Sequence, residues 1–242
     1  MEYLRIKKAQ KMVRADGTPY ASALFVKKNR KYGDVISEQT ISKKKSCLVT
    51  GAHDSGKTRW LSRLNESSSE IYGGKHKSEP LWLGALRPIG AWCDSPQVVE
   101  WWEKRRKAAN DDEYRPWANL KQWERAEILP DYLTDTNAVL FIDDAHKLSG
   151  RKLQIARMCA LSCRLSVVSA SEEQRIPPNL RNVLMRRDPQ IFRLNSDVAY
   201  DATSIIMWLL IVSALMVGAW ELSLMLGGLK ALGTGRRASR AD

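Results

Sequence analysis

Short, mainly apolar runs recur through the middle of the chain, one of them, Val139 to Ile142, apolar throughout, separated by longer amphipathic stretches. Cys47-Leu48-Val49-Thr50, Leu81-Trp82-Leu83, Val139-Leu140-Phe141-Ile142, Leu165-Ser166-Val167-Val168-Ser169 and Ile191-Phe192-Arg193-Leu194 read as strands. Runs without polar alternation suit strands covered on both faces. Thr58 to Leu64 has helical spacing. Pro96 to Ala108 predicts a helix opened by Ser95 and Pro96. Pro116 to Leu129 predicts another, stopped by Pro130, and Lys152 to Ser162 a third. Strands alternating with helices imply an α/β fold with a parallel sheet and right-handed crossovers. Residues 1–45 differ. Ser22-Ala23-Leu24-Phe25-Val26 is β-prone and Asp16-Gly17-Thr18-Pro19 supplies a turn, which predicts a β-rich or irregular extension.

The pattern changes again near the C-terminus. Residues 205–220 are uninterrupted by charge, and the apolar character resumes after Glu221 as far as Leu229. Roughly 20 residues cross the bilayer hydrocarbon, so region 202–229 holds one transmembrane helix, a span of about 202–221. Trp208 and Trp220 would lie near the interfaces. Glu221 at the membrane centre would cost about 2–3 kcal/mol or more, which places it at an interface. A buried or interfacial helix is the alternative. Ala214-x-x-x-Gly218 offers a small-residue pair for helix association. The expected domains are thus 1–45, 46–198, 202–229 and a basic tail, 230–242.

Charge adds possible partners. The net charge is +12, and residues 1–45 hold twelve Lys/Arg against four Asp/Glu. Such a surplus suits nucleic acid or anionic lipid headgroups, with a solvated basic face as the alternative. Six tryptophans fall between Trp82 and Trp123. Trp101-Trp102, Trp117 and Trp123 either pack on the sheet or, beside Lys104-Arg105-Arg106-Lys107, stack on single-stranded bases. Cys47, Cys93, Cys159 and Cys163 form no metal-ligand pattern with the three histidines; they suggest reduced thiols in a cytoplasmic domain. The N-terminus lacks the apolar segment of a cleavable signal peptide.

The chemistry is concentrated at Gly51-Ala52-His53-Asp54-Ser55-Gly56-Lys57-Thr58, a complete G-x-x-x-x-G-K-[ST] P-loop between a strand and a helix. The glycines let successive amides point at phosphate oxygens, and the helix N-terminus adds its dipole. Lys57 would reach the β- and γ-phosphates of ATP, and the Thr58 hydroxyl would ligate Mg²⁺. Val139 to Ile142 ends in Asp143-Asp144-Ala145-His146. A carboxylate at the end of a buried strand is what the magnesium needs opposite the loop. Asp143 is therefore the expected metal ligand, and Asp144 the residue that polarises the attacking water. Ordinary cytosolic ATP and magnesium put the N-terminal domain on the cytoplasmic side of the single span, since the flanking basic residues are evenly divided.

Ile142-Asp143-Asp144-Ala145-His146-Lys147-Leu148 resembles the I-D-E-A-H-x-L motif of P-loop ATPases in the AAA+ group, with aspartate in place of glutamate. The resemblance covers about residues 46–195 and is strongest to compact ATPases serving transposases and bacterial secretion systems. It implies a sensor for the γ-phosphate at Ser169 or Ser171. It further implies an arginine finger, Arg181 or Arg186-Arg187, acting on a neighbouring subunit of a homo-oligomer or partner complex. AAA+ proteins normally continue into a helical lid; here the apolar segment follows within about ten residues. Filamentous-phage assembly ATPases of the zonula occludens toxin family share the order of P-loop domain and single span, though their loop lies nearer the N-terminus. The expected function is a membrane-anchored ATPase handling DNA or protein in conjugation, secretion or phage assembly. The alternatives are a nucleotide-dependent switch with little turnover, or a regulator of transposition or replication whose apolar tail docks on a protein. No Asn-Lys-x-Asp motif for guanine is present.

Overall fold

The computed structural model describes residues 2–13, 19–28, 34–52, 55–73, 79–109, 115–194 and 202–216, with 218, 220, 221 and 225 beyond them. His53 and Asp54, the turn at residues 16–18 and the tail 230–242 lie outside the described residues. The chain forms two compact units, Met1–Ser196 and Asp197–Asp242.

In the first unit, β1 (Glu2–Val13), β2 (Pro19–Lys28) and β3 (Val35–Thr40) form an antiparallel sheet in that order. A second sheet is built from β4 (Cys47–Gly51), β5 (Leu81–Gly84), β6 (Leu140–Asp143), β7 (Ser166–Ala170) and β8 (Gln190–Leu194). Its order is β5-β6-β7-β4-β8, every pair parallel. The helices are α1 (Lys57–Glu66), α2 (Ser68–Tyr72), α3 (Ile89–Cys93), α4 (Pro96–Ala108), α5 (Gln122–Thr136), α6 (Gly150–Ser162) and α7 (Pro178–Met185).

The period-two alternation of side chains divides the core into two layers. Leu48, Leu83, Leu140, Ile142 and Val168 face α3 to α7. Cys47, Val49, Phe141, Val167 and Phe192 face the opposite way, towards α1, α2 and the small sheet. Helix α1 presents Trp60, Leu61 and Leu64 inward while Arg59 and Arg63 stay outside. Phe25 of β2 meets Trp60 edge-on at 5.6 Å and Phe192 at 5.2 Å between ring centroids. The N-terminal segment therefore closes one face of the parallel sheet.

The expected helix from Pro116 to Leu129 is corrected in two ways. Pro116 leads into a 3-10 turn at Trp117–Asn119, and Leu120 and Lys121 are extended before α5 begins. The Lys121 amide donates to Glu124 Oε2 at 2.6 Å, which fixes that start. Pro130 does not stop the helix; it lies inside α5. Burial of Leu129, Tyr132 and Leu133 on one face outweighs the lost amide bond, and Tyr132 Oη donates to the Glu79 carbonyl at 2.9 Å.

Trp102 and Trp117 are buried, and Trp101 packs edge-on against Tyr132 at 5.6 Å. The basic residues beside them are internally paired: Arg105 with Asp135 at 3.0 Å, Arg106 with Glu103 at 2.9 Å. Trp123 is 53% exposed. All four cysteines are free and buried, and burial pushes the Cys93 and Cys163 thiols up to about 11.

In the second unit, α8 (Ala202–Met216) has 15 residues. That is about 22 Å of helix against about 30 Å of hydrocarbon. Among the described residues no helix is long and apolar enough to cross a membrane. Of the expected span, residues 217 and 219 lie outside the described residues, as does most of region 222–229.

If the small sheet is integral to the core, Phe25→Ala should cost about 3–5 kcal/mol in urea unfolding. A loss below about 1 kcal/mol would mean that β1 to β3 fold apart from the parallel sheet.

Candidate functional site

A cleft of about 870 Å³ lies at the carboxyl ends of the parallel strands, where open α/β sheets place ligands. Its walls include Gly56, Lys57, Thr58, Asp144, His146 and Arg175. Two glycines make the loop possible. A Cβ on Gly51 would stand 2.6 Å from the Leu194 carbonyl oxygen, and Gly56 has φ +81°, in the left-handed region. The Gly51 amide donates to the Ser171 carbonyl at 3.1 Å, joining the loop to the end of β7.

Lys57 is buried, and its ammonium folds back on the loop. It donates to the Gly51 carbonyl at 2.9 Å, the Ala52 carbonyl at 2.6 Å and Ser55 Oγ at 3.4 Å. Thr58 is the second residue of α1, and its hydroxyl donates to Asp143 Oδ1 at 3.3 Å. The same carboxylate oxygen accepts Ser169 Oγ–H at 2.6 Å. Ser169 Oγ in turn accepts the Asp144 amide at 2.9 Å. Strand β7 lies between β4 and β6, which places Ser169 between the loop and the acidic strand end.

Thr58 and Asp143 together present one hydroxyl and one carboxylate. Magnesium commonly takes such a set, filling its remaining octahedral positions with waters and phosphate oxygens. The residues present therefore fit the ion.

Asp144 has φ +55°, and its carboxylate pairs with Lys147 at 2.8 Å. His146 Nδ1 accepts the Ser171 amide at 3.2 Å, which leaves the ring proton on Nε2. Burial holds the His146 imidazole below its ordinary value; Asp144 opposes this, while Lys147, Lys57 and Arg175 reinforce it.

Gly51 and Ala52 border an adjoining hollow of about 710 Å³, shared with Arg193. Arg181 stands on α7, donating to the Gln174 carbonyl at 3.5 Å, and is not among the residues lining the cleft. Arg187 donates to the Leu161 carbonyl at 2.9 Å, closing the end of α6. The arginines that do line the cleft are Arg59, on α1, and Arg175, with Lys147 and Ser171 also in its wall. Spacing gave no sign of Arg175, because the turn after β7 decides where it points.

No family model and no curated protein matches the chain. Among solved structures, it is similar to Cdc6p from Pyrobaculum aerophilum, 17% identical with a TM-score of 0.35, over 62% of this chain and 38% of that one. EccC from Thermomonospora curvata (ATPases 2 and 3, with a signal sequence peptide) is 13% identical with a TM-score of 0.42, over 73% and 36%. Drosophila ORC bound to DNA is 11% identical with a TM-score of 0.31, over 65% and 84%. The chain spans less than two-fifths of the first two. Likeness at this level identifies no substrate. The five-stranded parallel sheet and its loop fit a P-loop ATPase.

His146 makes stability depend on pH. At pH above about 6.5 the ring is neutral in both folded and unfolded chains. As pH falls through that value the unfolded chain takes up the proton first, so the fold loses stability until the lowered folded value is passed. His146→Gln should therefore flatten the fall in urea midpoint between pH 7 and pH 5. An unchanged slope would count against a depressed imidazole.

Proposed function

We propose that the chain binds ATP with magnesium and hydrolyses it slowly, or on activation by a partner. The observation that carries this reading is the 3.3 Å contact between the Thr58 hydroxyl and Asp143, beside the Lys57 ammonium in one cleft. Magnesium, when bound, neutralises charge on the β- and γ-phosphates. Lys57 leaves the loop carbonyls and binds phosphate oxygens. Gly56 and the first turn of α1 offer backbone amides to the same oxygens. Asp143 and Thr58 hold the metal, and Ser169 keeps the Asp143 carboxylate in place. Asp144 orients the attacking water. Arg181, half-buried on α7, is the candidate finger towards a second copy.

A nucleotide switch with little turnover is the second reading. The 2.8 Å pairing of Asp144 with Lys147 favours it, because a neutralised carboxylate polarises water poorly.

The working setting we propose is the cytoplasmic face of a membrane, with DNA or protein as cargo. The basic surplus of residues 1–45 supports a polyanionic partner. The exposed apolar residues Trp208, Leu209, Val212 and Met216 of α8 support contact with lipid.

Lys57→Ala should weaken ATP binding at least 100-fold. Asp144→Asn should keep binding and reduce turnover at least tenfold, measured on full-length protein in nanodiscs with and without DNA. Wild-type affinity in Lys57→Ala would overturn the nucleotide site. A near-zero rate in both the parent and Asp144→Asn would select the switch. Carbonate extraction of membranes should leave the chain in the pellet; its release would end the anchor reading.

A further inference from the structure

Of the four Lys and Arg residues lining the cleft, Lys57, Arg59, Lys147 and Arg175, three are held by acceptors of the protein itself. Lys57 rests on the loop carbonyls, Lys147 on Asp144 at 2.8 Å, and Arg175 on Glu172 at 3.3 Å. Asp144, Lys147, Glu172 and Arg175 all line the same cleft as Lys57 and Thr58. Two of these three contacts are ion pairs, that of Lys147 and that of Arg175.

The Lys147 pair is the most constrained of the three. Asp144 sits in the left-handed region, its amide held by Ser169 Oγ at 2.9 Å. The chain then makes a 3-10 turn at Ala145–Lys147, with the Lys147 amide donating to the Asp144 carbonyl at 2.8 Å. That turn brings the ammonium back over the carboxylate of the residue that starts it. Asp144 is 17% exposed and Lys147 37%, so the pair is partly shielded yet open to the cleft.

Resting on the ATP-binding reading above, we propose that Lys147 discriminates triphosphate from diphosphate by exchanging Asp144 for the terminal phosphate. Lys147 follows directly from the strand end that carries Asp143, the expected magnesium ligand. With magnesium held by Asp143, the terminal phosphate would lie at this end of the cleft. A terminal phosphate, with more charge and more acceptor oxygens than one carboxylate, competes for the ammonium. The exchange frees Asp144 to orient water only when a γ-phosphate is present. ADP leaves the pair closed.

The test is calorimetric titration of the full-length protein with magnesium and either ADP or a non-hydrolysable ATP analogue. Lys147→Met should lose about tenfold in analogue affinity while ADP affinity stays within about twofold. Unchanged ADP binding also shows that the variant is folded. Asp144→Asn should raise analogue affinity by about two- to fivefold, because no ion pair need be broken. The double variant should match Lys147→Met alone. Equal weakening of both nucleotides by Lys147→Met, or no change in either, would overturn the exchange. So would a loss of analogue affinity in Asp144→Asn. Lys57→Ala separates the two levels: if it still bound both nucleotides, the ATP site itself would fail, whatever Lys147 did.

Discussion

One carboxylate oxygen organises the cleft. Asp143 Oδ1 accepts Ser169 Oγ–H at 2.6 Å and Thr58 Oγ1–H at 3.3 Å, so three separate segments converge on a single atom. The sheet order makes this convergence necessary. Strand β7 lies between β4 and β6, which therefore stand about 9.5 Å apart, two interstrand spacings. The phosphate loop must carry the chain from the end of β4 across that gap before Thr58 can face Asp143. Ser169, in register with Val49 on β4, occupies the space between them and supplies the hydroxyl that locks the acidic end.

The rest of the cleft follows from the cost of leaving charge unpaired. Ammonium and guanidinium groups gathered in one cleft repel one another, and Lys57, Lys147 and Arg175 each turn to an acceptor of the protein. Loop carbonyls, a neighbouring aspartate and a neighbouring glutamate fill that role. In the proposed reading, a polyphosphate would displace these contacts, which would make the ligand's charge a condition for rearranging the site. Burial, reinforced by these cations, lowers the His146 imidazole, and its Nδ1 accepts the Ser171 amide and ties the acidic motif to the loop.

Stability of this arrangement rests on covering both faces of the sheet. The larger helices α4, α5 and α6 cover one face. The other has only α1, of 10 residues, and α2, of 5. Phe192 and Trp60 would be left open without the small antiparallel sheet, whose Phe25 fills the space between them. The basic N-terminal segment is thus structural as well as charged.

The sequence by itself determined the parallel strands, the phosphate loop and the acidic strand end. Each is a local signal: an apolar run, a glycine spacing, a carboxylate after a buried strand. Only the tertiary structure decided the course of α5 through Pro130, because burial of Leu129, Tyr132 and Leu133 outweighs a local helix breaker. It also decided that Trp102 and Trp117 lie in the core, that Arg175 rather than Arg181 lines the cleft, and that Lys147 holds Asp144. These depend on which segments meet across the sheet, and strand order is set by long-range packing that no local window of residues contains.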